Sequence, residues 1–310
     1  GGVLITGGAY GNTIGGSVSL GQGNVISGNT PGYGIRINGN GTDNNIIQGN
    51  IIGLASDGLT ALPNNGGVQI YFGPTNTEVG GTTDFGNVIS NNYGTSVNLS
   101  SAPSTIISGN IIGLSQDGLQ IRANSEYGIA MYEGHNSMIG GGSSSKRNII
   151  SGNTLSGIYV NSTSGLDIFN TQVGLKSDGS AAGNGQAGVQ LLSSATNIYI
   201  GENTGNGNVI ANNGGNGIDI TGTPAGTSIR RNSIHSNTGK GIQTGHDYSL
   251  SIDSVMKNGT DYDVTGSSTC SGCDVEIFQV DDTGAGVTAD ATGAGEGYAL
   301  LATVTTNAPG

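Results

Sequence analysis

Short apolar segments of three to five residues recur along this chain, and stretches rich in Gly, Asn and Ser separate them. A pattern of the form Gly-apolar-x-apolar occurs at residues 34–37 and 67–70, and similar segments follow at intervals of about 30 residues. Alternation of apolar and polar residues over such lengths is typical of β-strands that bury one face. The chain is therefore predicted to contain many short strands joined by tight turns.

A longer repeat of about 60 residues is superimposed on this pattern. The segment Asn-Val-Ile-Ser-Gly-Asn at residues 24–29 returns in related forms at 87–92, 148–153 and 208–213, and Ile-Ile-Gly-Leu at 51–54 returns at 111–114. Strands this short are stable only when each stacks on the equivalent strand of the next turn. The repeats therefore predict an all-β solenoid of about eight turns, with three strands in each turn.

The alternation also predicts which side chains face inward and which face solvent on one side of this solenoid. The inward ladder is expected to contain Ile35, Ile70, Leu99, Met131, Val160, Leu191 and Ile220. The outward positions are expected to be Arg36, Gln69, Asn98, Ala130, Tyr159, Gln190, Asp219 and Gln243, and one pleat further on Tyr71, Tyr132, Asn161 and Thr221.

Asn and Gly recur where the corners must lie, because both tolerate the left-handed backbone that tight corners need. Asn side chains at such positions are expected to bond to neighbouring backbone groups. One corner is predicted to hold Asn29, Asn92, Asn153, Asn213 and Asn237, and another Asn50, Asn110, Asn170 and Asn232. Asp-Gly pairs at 57–58, 117–118 and 178–179 predict Asx turns, with calcium binding as the alternative.

These motifs resemble the right-handed parallel β-helix repeats of large bacterial cell-surface proteins, whose architecture is similar to that of the pectate-lyase-like superfamily. The resemblance rests on Asn-Val-Ile-Ser-Gly-Asn, on Asn-Ile-Ile-Gly-Leu-x-x-Asp-Gly and on Ile-Gly-Gly, and it covers residues 1–245. It implies a right-handed, three-sided parallel β-helix. It does not select one function, because this fold carries lyases, hydrolases, adhesins and phage tailspikes.

Composition and charge narrow the choice of partners. Glycine accounts for 60 of the 310 residues and only 10% of residues are charged, which argues against an ordinary helical domain. The net charge of −12 argues against nucleic acid and anionic membrane surfaces as partners. No apolar run approaches the ~18 residues of a membrane span, so membrane insertion is not expected. These features and the resemblance favour an extracellular or cell-surface location.

Residues 246–310 form a second predicted unit, which is strongly acidic. They carry 10 acidic residues and 1 basic residue, against 11 acidic and 8 basic in residues 1–245. Residues 274–278 alternate like an antiparallel strand, and the segment resembles part of the immunoglobulin-like modules that follow β-helices in those surface proteins. Its length of about 65 residues falls short of the ~100 of a full sandwich, so a truncated or minimal β-sandwich-like segment is expected.

Calcium is the one cofactor that this acidic segment suggests. Candidate calcium ligands in its Gly-rich loops are Asp281, Asp282, Asp290 and Glu296. Carboxylate oxygens are the ligands that calcium prefers, and acidic loops that bind only water are the alternative. No other cofactor is expected.

The outward rows offer little for catalysis. Glycoside hydrolysis needs two carboxylates about 5 to 10 Å apart, whereas Asp219 stands alone on the row and lies six turns from Arg36. These two residues are therefore weak catalytic candidates, and a polysaccharide lyase or glycoside hydrolase is the alternative hypothesis.

Aromatic and amide side chains on the outward rows suit sugar binding, because a sugar has an apolar face and a polar rim. The candidate ligand-binding residues are Tyr71, Tyr132, Glu133, Tyr159 and Asn161. Isolated surface tyrosines, which strands favour, are the alternative explanation. The leading hypothesis is a non-enzymatic structural or adhesive rod module that binds a glycan or a neighbouring surface protein.

The N-terminal residues predict that the rod is continued by another protein surface. Val3, Leu4 and Ile5 already occupy strand positions, with no amphipathic helix or polar loop before them. Solenoids need such caps for solubility. The cover is expected from further repeats or from the C-terminal segment of a neighbouring molecule, and the second case would give a head-to-tail fibre.

Cys270 and Cys273 are the two cysteines of the chain, and they are expected to form a disulfide that closes a tight turn in an oxidising setting. The sequence around them lacks the βαβ context of a redox motif and the further soft ligands of a zinc site. A thiol assay on the unfolded, unreduced protein should therefore detect no free thiol. Detection of two thiols would contradict this prediction.

Overall fold

The computed structural model describes residues 1–192, 194–201, 207–222, 224–244, 250–258, 261–268, 274–279 and 299–305. Within these ranges the fold is all-β, as predicted, and a 3-10 turn at Ser144–Lys146 is the one helical element. No helix in these ranges is long and apolar enough to cross a membrane. The predicted disulfide and calcium residues lie outside the described residues: Cys270, Cys273, Asp281, Asp282, Asp290 and Glu296.

Most of the strands contain two to six residues. The first twelve are β1 Val3–Ile5, β2 Thr13–Gly15, β3 Val25–Ile26, β4 Tyr33–Asn38, β5 Ile46–Gln48, β6 Ile51–Ile52, β7 Gly66–Tyr71, β8 Glu78–Gly80, β9 Val88–Ile89, β10 Val97–Ser100, β11 Ile106–Ser108 and β12 Ile111–Ile112. The next thirteen are β13 Ile129–Tyr132, β14 Met138–Gly140, β15 Ile149–Ile150, β16 Ile158–Asn161, β17 Ser164–Phe169, β18 Gln172–Val173, β19 Val189–Leu192, β20 Thr196–Ile200, β21 Val209–Ala211, β22 Ile218–Thr221, β23 Ser228–Ile229, β24 Ser233–His235 and β25 Ile242–Gln243. The last four are β26 Leu250–Asn258, β27 Asp261–Ser268, β28 Asp274–Gln279 and β29 Ala299–Thr305.

Strands β1–β25 form three parallel sheets, because each turn contributes one strand to each sheet. Sheet A has the order β1-β4-β7-β10-β13-β16-β19-β22-β25, sheet B the order β2-β5-β8-β11-β14-β17-β20-β23, and sheet C the order β3-β6-β9-β12-β15-β18-β21-β24. The predicted parallel β-helix is therefore confirmed. Counted as steps between neighbouring strands, sheets B and C advance by about seven turns, slightly fewer than the eight predicted.

The core consists of aliphatic side chains stacked from turn to turn. Sheet A supplies two inward columns and sheets B and C supply one each, and nearly all of these side chains are fully buried. The predicted inward column that begins with Ile35 is wrong in that first residue. Ile35 pairs with Val68, whereas Ile37 pairs with Ile70 and leads the column that continues through Leu99. Both isoleucines face inward, so alternation alone could not decide which of them starts that column.

Two ladders of Asn side chains run along the edges of sheet C. In the first ladder, each amide nitrogen donates to the amide oxygen of the next turn at 2.8–3.0 Å. Its eight members are Asn29, Asn64, Asn92, Asn124, Asn153, Asn184, Asn213 and Asn237. Each turn is thereby bonded to the next through side chains as well as through backbone.

The second ladder lies just before the strands of sheet C, and the prediction of Asn170 as its member is wrong. It runs through Asn24, Asn50, Asn87, Asn110 and Asn148, and resumes at Asn208 and Asn232. Thr171 takes the intervening place and donates its backbone N–H to the Asn208 amide oxygen at 2.9 Å. Asn170 instead has a φ of 44° and stands where other turns have a left-handed Gly, such as Gly109.

Long loops alternate between the two edges of sheet C, which explains the 60-residue repeat. Hairpins at residues 54–61, 114–121 and 175–181 follow strands of sheet C on every second turn. Longer loops at 16–24, 81–87 and 141–148 precede sheet C on the turns between. Each long loop after the first turn bonds to the short corner of the preceding turn, as in the bonds from Gly28 N to Leu62 O at 3.0 Å and from Gly109 N to Lys146 O at 3.0 Å.

The described strands that follow β25 in the chain are antiparallel. Strand β26 pairs with β27, and β28 pairs with β29, so each pair is a two-stranded sheet. This agrees with the predicted antiparallel C-terminal segment. The boundary at residue 245 and the sandwich-like arrangement stay predictions.

The first Asn ladder should contribute strongly to stability. Asn64 is fully buried, its amide oxygen accepts from Asn29, and its amide nitrogen donates to Asn92 and to the Ile26 carbonyl. Replacing Asn64 by Ala leaves these buried partners without a hydrogen bond. The free energy of unfolding should therefore fall by about 3 kcal/mol. Asn65→Ala is the matched control, because Asn65 is exposed and its backbone bonds survive. Urea unfolding of the two variants measures the difference, and equal stabilities would contradict the role of the ladder.

Candidate functional site

The outer face of sheet A, called the A face below, presents two rows of side chains. The register confirms the predicted positions of the first row: Arg36, Gln69, Asn98, Ala130, Tyr159, Gln190, Asp219 and Gln243. The second row contains Asn38, Tyr71, Ser100, Tyr132 and Asn161. Parallel pairing keeps successive members of a row about one strand spacing apart, ~4.8 Å.

Three tyrosines form an aromatic cluster in the middle of the A face. The Tyr159 ring lies 4.6 Å from that of Tyr127 and 5.6 Å from that of Tyr132, measured between centroids. Ala130, which pairs with Tyr159, is almost completely buried. The small Ala side chain beside large rings leaves room for the tyrosines to lie against the sheet. The structure thus brings together Tyr132 and Tyr159, as the sequence predicted.

Sequence reasoning missed Tyr127, which belongs to the same cluster. It lies before strand β13, outside the alternating segment from which the outward rows were read. A signal for it exists, because Tyr-Gly-Ile occurs at residues 127–129 and also at 33–35. Tyr33 and Tyr127 therefore occupy comparable positions, where the chain begins its strands β4 and β13 of sheet A.

Burial raises the pKa of the clustered phenols. The pKa of Tyr132 rises to about 12, mainly because burial disfavours the charged form and secondarily because Tyr159 and Tyr127 are close. Burial is also the main cause of the raised pKa of Tyr127 and of Tyr33. Nearby Glu126 adds to each shift, and its carboxylate accepts a hydrogen bond from Thr95 Oγ1 at 2.8 Å. These tyrosines are neutral hydrogen-bonding groups at physiological pH.

Glu133 and Asn161 lie beside the tyrosine cluster but are engaged with serines of the corner that follows sheet A. Glu133 has a left-handed backbone, with a φ of 58°, and its carboxylate accepts a hydrogen bond from Ser101 Oγ. Asn161 Oδ1 accepts from Ser194 Oγ at 2.6 Å. Both side chains are therefore held at the rim of the A face.

A second aromatic cluster surrounds Arg36. Its guanidinium carbon lies 4.9 Å from the centroid of the Tyr33 ring and 5.9 Å from that of Tyr71, which is within cation–π range. The Phe72 ring lies 4.8 Å from that of Tyr71. Phe72 is 67% exposed and has a φ of 62°, a rare conformation for a bulky residue. Strained residues of this kind cluster at functional sites.

The two weak catalytic candidates are not brought together. Asp219 on β22 and Arg36 on β4 are six strands apart in sheet A, so ~29 Å at the strand spacing. The row neighbours of Asp219 are Gln190 and Gln243, neither of which is acidic. Over the described ranges, no group of three or more His, Cys, Asp or Glu side chains could hold a metal ion. This geometry does not supply the paired carboxylates of glycoside hydrolysis.

The Asp-Gly corners form Asx turns. Asp57 Oδ1 accepts from the backbone N–H groups of Leu59 and Thr60, and Asp178 Oδ1 accepts from the N–H of Ser180. Bonds from the hydroxyls of Thr60, Ser115 and Ser180 are the main cause of the lowered pKa of Asp57, Asp117 and Asp178, respectively. The carboxylates thus already bond to local donors of their own loops.

Comparison with known proteins finds weak similarity to solved structures only. No protein-family model and no curated protein sequence matches the chain. Among solved structures, the periplasmic alginate epimerase AlgG aligns with a TM-score of 0.40 and 17% identity, over 78% of this chain and 46% of AlgG. The AlgE6 A-module, a mannuronan C-5 epimerase of Azotobacter vinelandii, aligns with a TM-score of 0.29 and 15% identity, over 76% and 78%.

PfbA, a surface adhesin of Streptococcus pneumoniae, aligns with a TM-score of 0.24 and 12% identity, over 80% of this chain and 55% of PfbA. The chain therefore spans about half the length of AlgG and of PfbA.

The partly buried phenols predict a specific response to alkaline pH. Because the pKa of Tyr132 is raised from 10.0 to about 12, the stability linked to its neutral form is complete below pH 10 and is lost as the pH rises through about 12. The melting temperature of Tyr132→Phe should therefore fall less than that of the wild type over this range. Tyr93→Phe, at a 60% exposed position off the A face, is the control and should follow the wild type. Parallel melting curves for Tyr132→Phe and wild type would contradict the expectation.

Proposed function

We propose that this chain is an extracellular, non-enzymatic structural or adhesive rod module that binds a glycan on the A face. The observation that carries the proposal is the pair of aromatic clusters on one exposed sheet face, with amide side chains between and around them. Aromatic rings pack against the apolar faces of sugars, while amides bond to the hydroxyl rim. The A face offers both kinds of surface side by side.

The spacing of the clusters suits a chain-like ligand that runs along the rod. Tyr71 on β7 and Tyr132 on β13 lie in the same row and two strands apart, which corresponds to ~10 Å. Asn98 and Ser100 on the intervening strand β10 lie between them. A ligand that crosses these strands at right angles would contact both aromatic clusters and the polar side chains between them.

The rod itself supports a structural role. The two Asn ladders and the stacked aliphatic core join every turn to the next, so the binding groups are held on a regular scaffold. A site built on such strands is held more firmly than one on loops. An extracellular location, calcium binding in the acidic segment and head-to-tail association remain predictions from the sequence.

Removal of one aromatic cluster should weaken glycan binding. Titration calorimetry with neutral hexasaccharides, including cellohexaose and chitohexaose, should show binding to the wild type. Tyr132→Ala and Tyr159→Ala should each reduce the affinity about tenfold, since a buried ring contact contributes around 1 kcal/mol or more. Tyr93→Ala removes an exposed ring off the A face and should leave the affinity unchanged.

Two results would overturn this proposal. One is that no hexasaccharide binds, or that Tyr93→Ala weakens binding as much as Tyr132→Ala. The other is turnover, seen as reducing ends or as unsaturated products, which would show that the rod is an enzyme.

A further inference from the structure

The second row of the A face alternates between aromatic and small polar side chains. Its members, in order along the rod, are Asn38, Tyr71, Ser100, Tyr132 and Asn161. The tyrosines stand on β7 and β13, whereas amide or hydroxyl side chains stand on β4, β10 and β16. Because neighbouring members are one strand spacing apart, ~4.8 Å, the two tyrosines are two spacings apart, ~10 Å. The row thus has an aromatic position on every second strand.

Both tyrosines of this row are partly exposed, so a ligand can reach them. Each is also held in place by a neighbouring ring. The Tyr71 ring lies 4.8 Å from that of Phe72, and the Tyr132 ring lies 5.6 Å from that of Tyr159, measured between centroids. Two supported rings therefore stand at a fixed separation along the rod.

The strand between the two tyrosines, β10, offers small polar groups. Asn98 and Ser100 are partly exposed, and neither side chain forms a hydrogen bond to any other residue that the structure describes. Ser100 is too small to rise between the neighbouring rings. A ligand that lies on both tyrosines can therefore cross β10 without obstruction and can bond there to a hydroxyl or an amide.

An extended β-1,4-linked glycan has the same two periods as this row. Its equatorial links form a flat ribbon in which each sugar is turned over relative to the one before, so every second sugar presents the same face. One sugar advances the ribbon by about one strand spacing, and two sugars advance it by about two, ~10 Å. A ribbon along the row would place alternate sugars on Tyr71 and Tyr132 and the sugar between them over Ser100.

An α-1,4-linked glucan does not match the row. Its axial link turns each sugar relative to the next, so the chain coils and leaves a flat surface after one or two sugars. Such a chain can stack one sugar on one tyrosine, but it does not bring a second sugar to the other tyrosine at the same height. The mismatch arises from the link alone, because the sugar units are the same.

We propose that the row from Asn38 to Asn161 selects a ribbon-like, β-1,4-linked glycan through the two-strand spacing of Tyr71 and Tyr132. This inference rests on the proposed glycan binding to the A face and names the class of glycan. Once one sugar stacks on either tyrosine, the ribbon holds another sugar over the second tyrosine. The second contact then forms within the complex and adds to the affinity.

Cellohexaose and maltohexaose test the inference, because both are hexamers of glucose that differ only in the configuration of their links. Titration calorimetry of the whole chain should show about tenfold tighter binding of cellohexaose, which corresponds to one ring contact. Tyr71→Ala and Tyr132→Ala each leave one ring in the row and should bring the ratio of the two affinities close to one. Tyr93→Ala removes an exposed ring off the A face and should leave the ratio unchanged.

Chain length provides a second readout. Cellobiose is too short to reach both tyrosines, whereas cellotetraose spans them. The wild type should therefore bind cellotetraose about tenfold more tightly than cellobiose. In Tyr71→Ala the two affinities should be nearly equal, because a longer chain gains no second ring.

A double variant tests the spacing while it keeps the number of rings. Ser100→Tyr combined with Tyr132→Ser leaves two tyrosines in the row but places them on adjacent strands. At a separation of ~4.8 Å the rings pack against each other instead of offering separate surfaces to alternate sugars. Cellohexaose should bind this variant no more tightly than Tyr132→Ser alone. Melting curves establish that the variants are folded, and the chain-length comparison decides the question if the double variant is not.

The outcomes distinguish this inference from the proposed function. Equal affinities for cellohexaose and maltohexaose, or failure of cellohexaose to bind, would overturn the selection of a ribbon and leave glycan binding in place. A preference for cellohexaose that survives both Tyr71→Ala and Tyr132→Ala, or wild-type affinity in the double variant, would also overturn it. If chitohexaose and maltohexaose fail to bind as well, both proposals are wrong.

Discussion

Turn-to-turn hydrogen bonding is the interaction on which the rest of this structure depends. A strand of two residues in sheet C has almost no stability of its own, and it becomes stable because the strands above and below it are in register. The Asn ladders fix that register at both edges of sheet C, since each amide accepts from one turn and donates to the next. The flat rows of the A face are a direct result of this regular stacking.

The A face differs from the Asn ladders in what its side chains leave unpaired. Along the ladders, buried amides are fully bonded, whereas Asn38 and Gln69 keep a free carbonyl oxygen beside the free Nε of Arg36. Burying such groups without partners lowers stability. The strained, exposed Phe72 lies next to the same place. Two independent departures from ordinary packing thus coincide on one end of the A face.

Much of the fold could be predicted because the repeats record it directly. The outward row from Arg36 to Gln243 followed from alternation, since a period of two leaves no freedom once one face is buried. Asn170 could not be placed in this way, because Asn serves both in the ladder and at left-handed corners, and Thr171 replaced it in the ladder. Tyr127 lies outside the alternating segment, and its contact with Tyr159 depends on the path of the chain before β13.

The unpaired atoms of Arg36, Asn38 and Gln69 could not be predicted either. A sequence shows which residues are polar, but it does not show which of their atoms find hydrogen-bond partners. Gln69 and Gln190 occupy equivalent outward positions, yet Gln190 accepts from Ser156 Oγ and Gln69 Oε1 has no partner. Ser156 lies just before β16, the strand that pairs with β19. Such contacts appear only when the turns are assembled.

The alternation of long loops constrains how rods of this kind can change in length. A hairpin on one turn covers the short corner of the turn before it, and its tip bonds to the hairpin two turns earlier, as Gln116 N does to Gly58 O. Insertion of a single turn would place two hairpins side by side or leave two short corners uncovered. Duplication of a pair of turns preserves every such contact. Gene duplication should therefore lengthen the rod in steps of about 60 residues and ~10 Å. Rods that differ by an odd number of turns should require different loop contacts along the edges of sheet C.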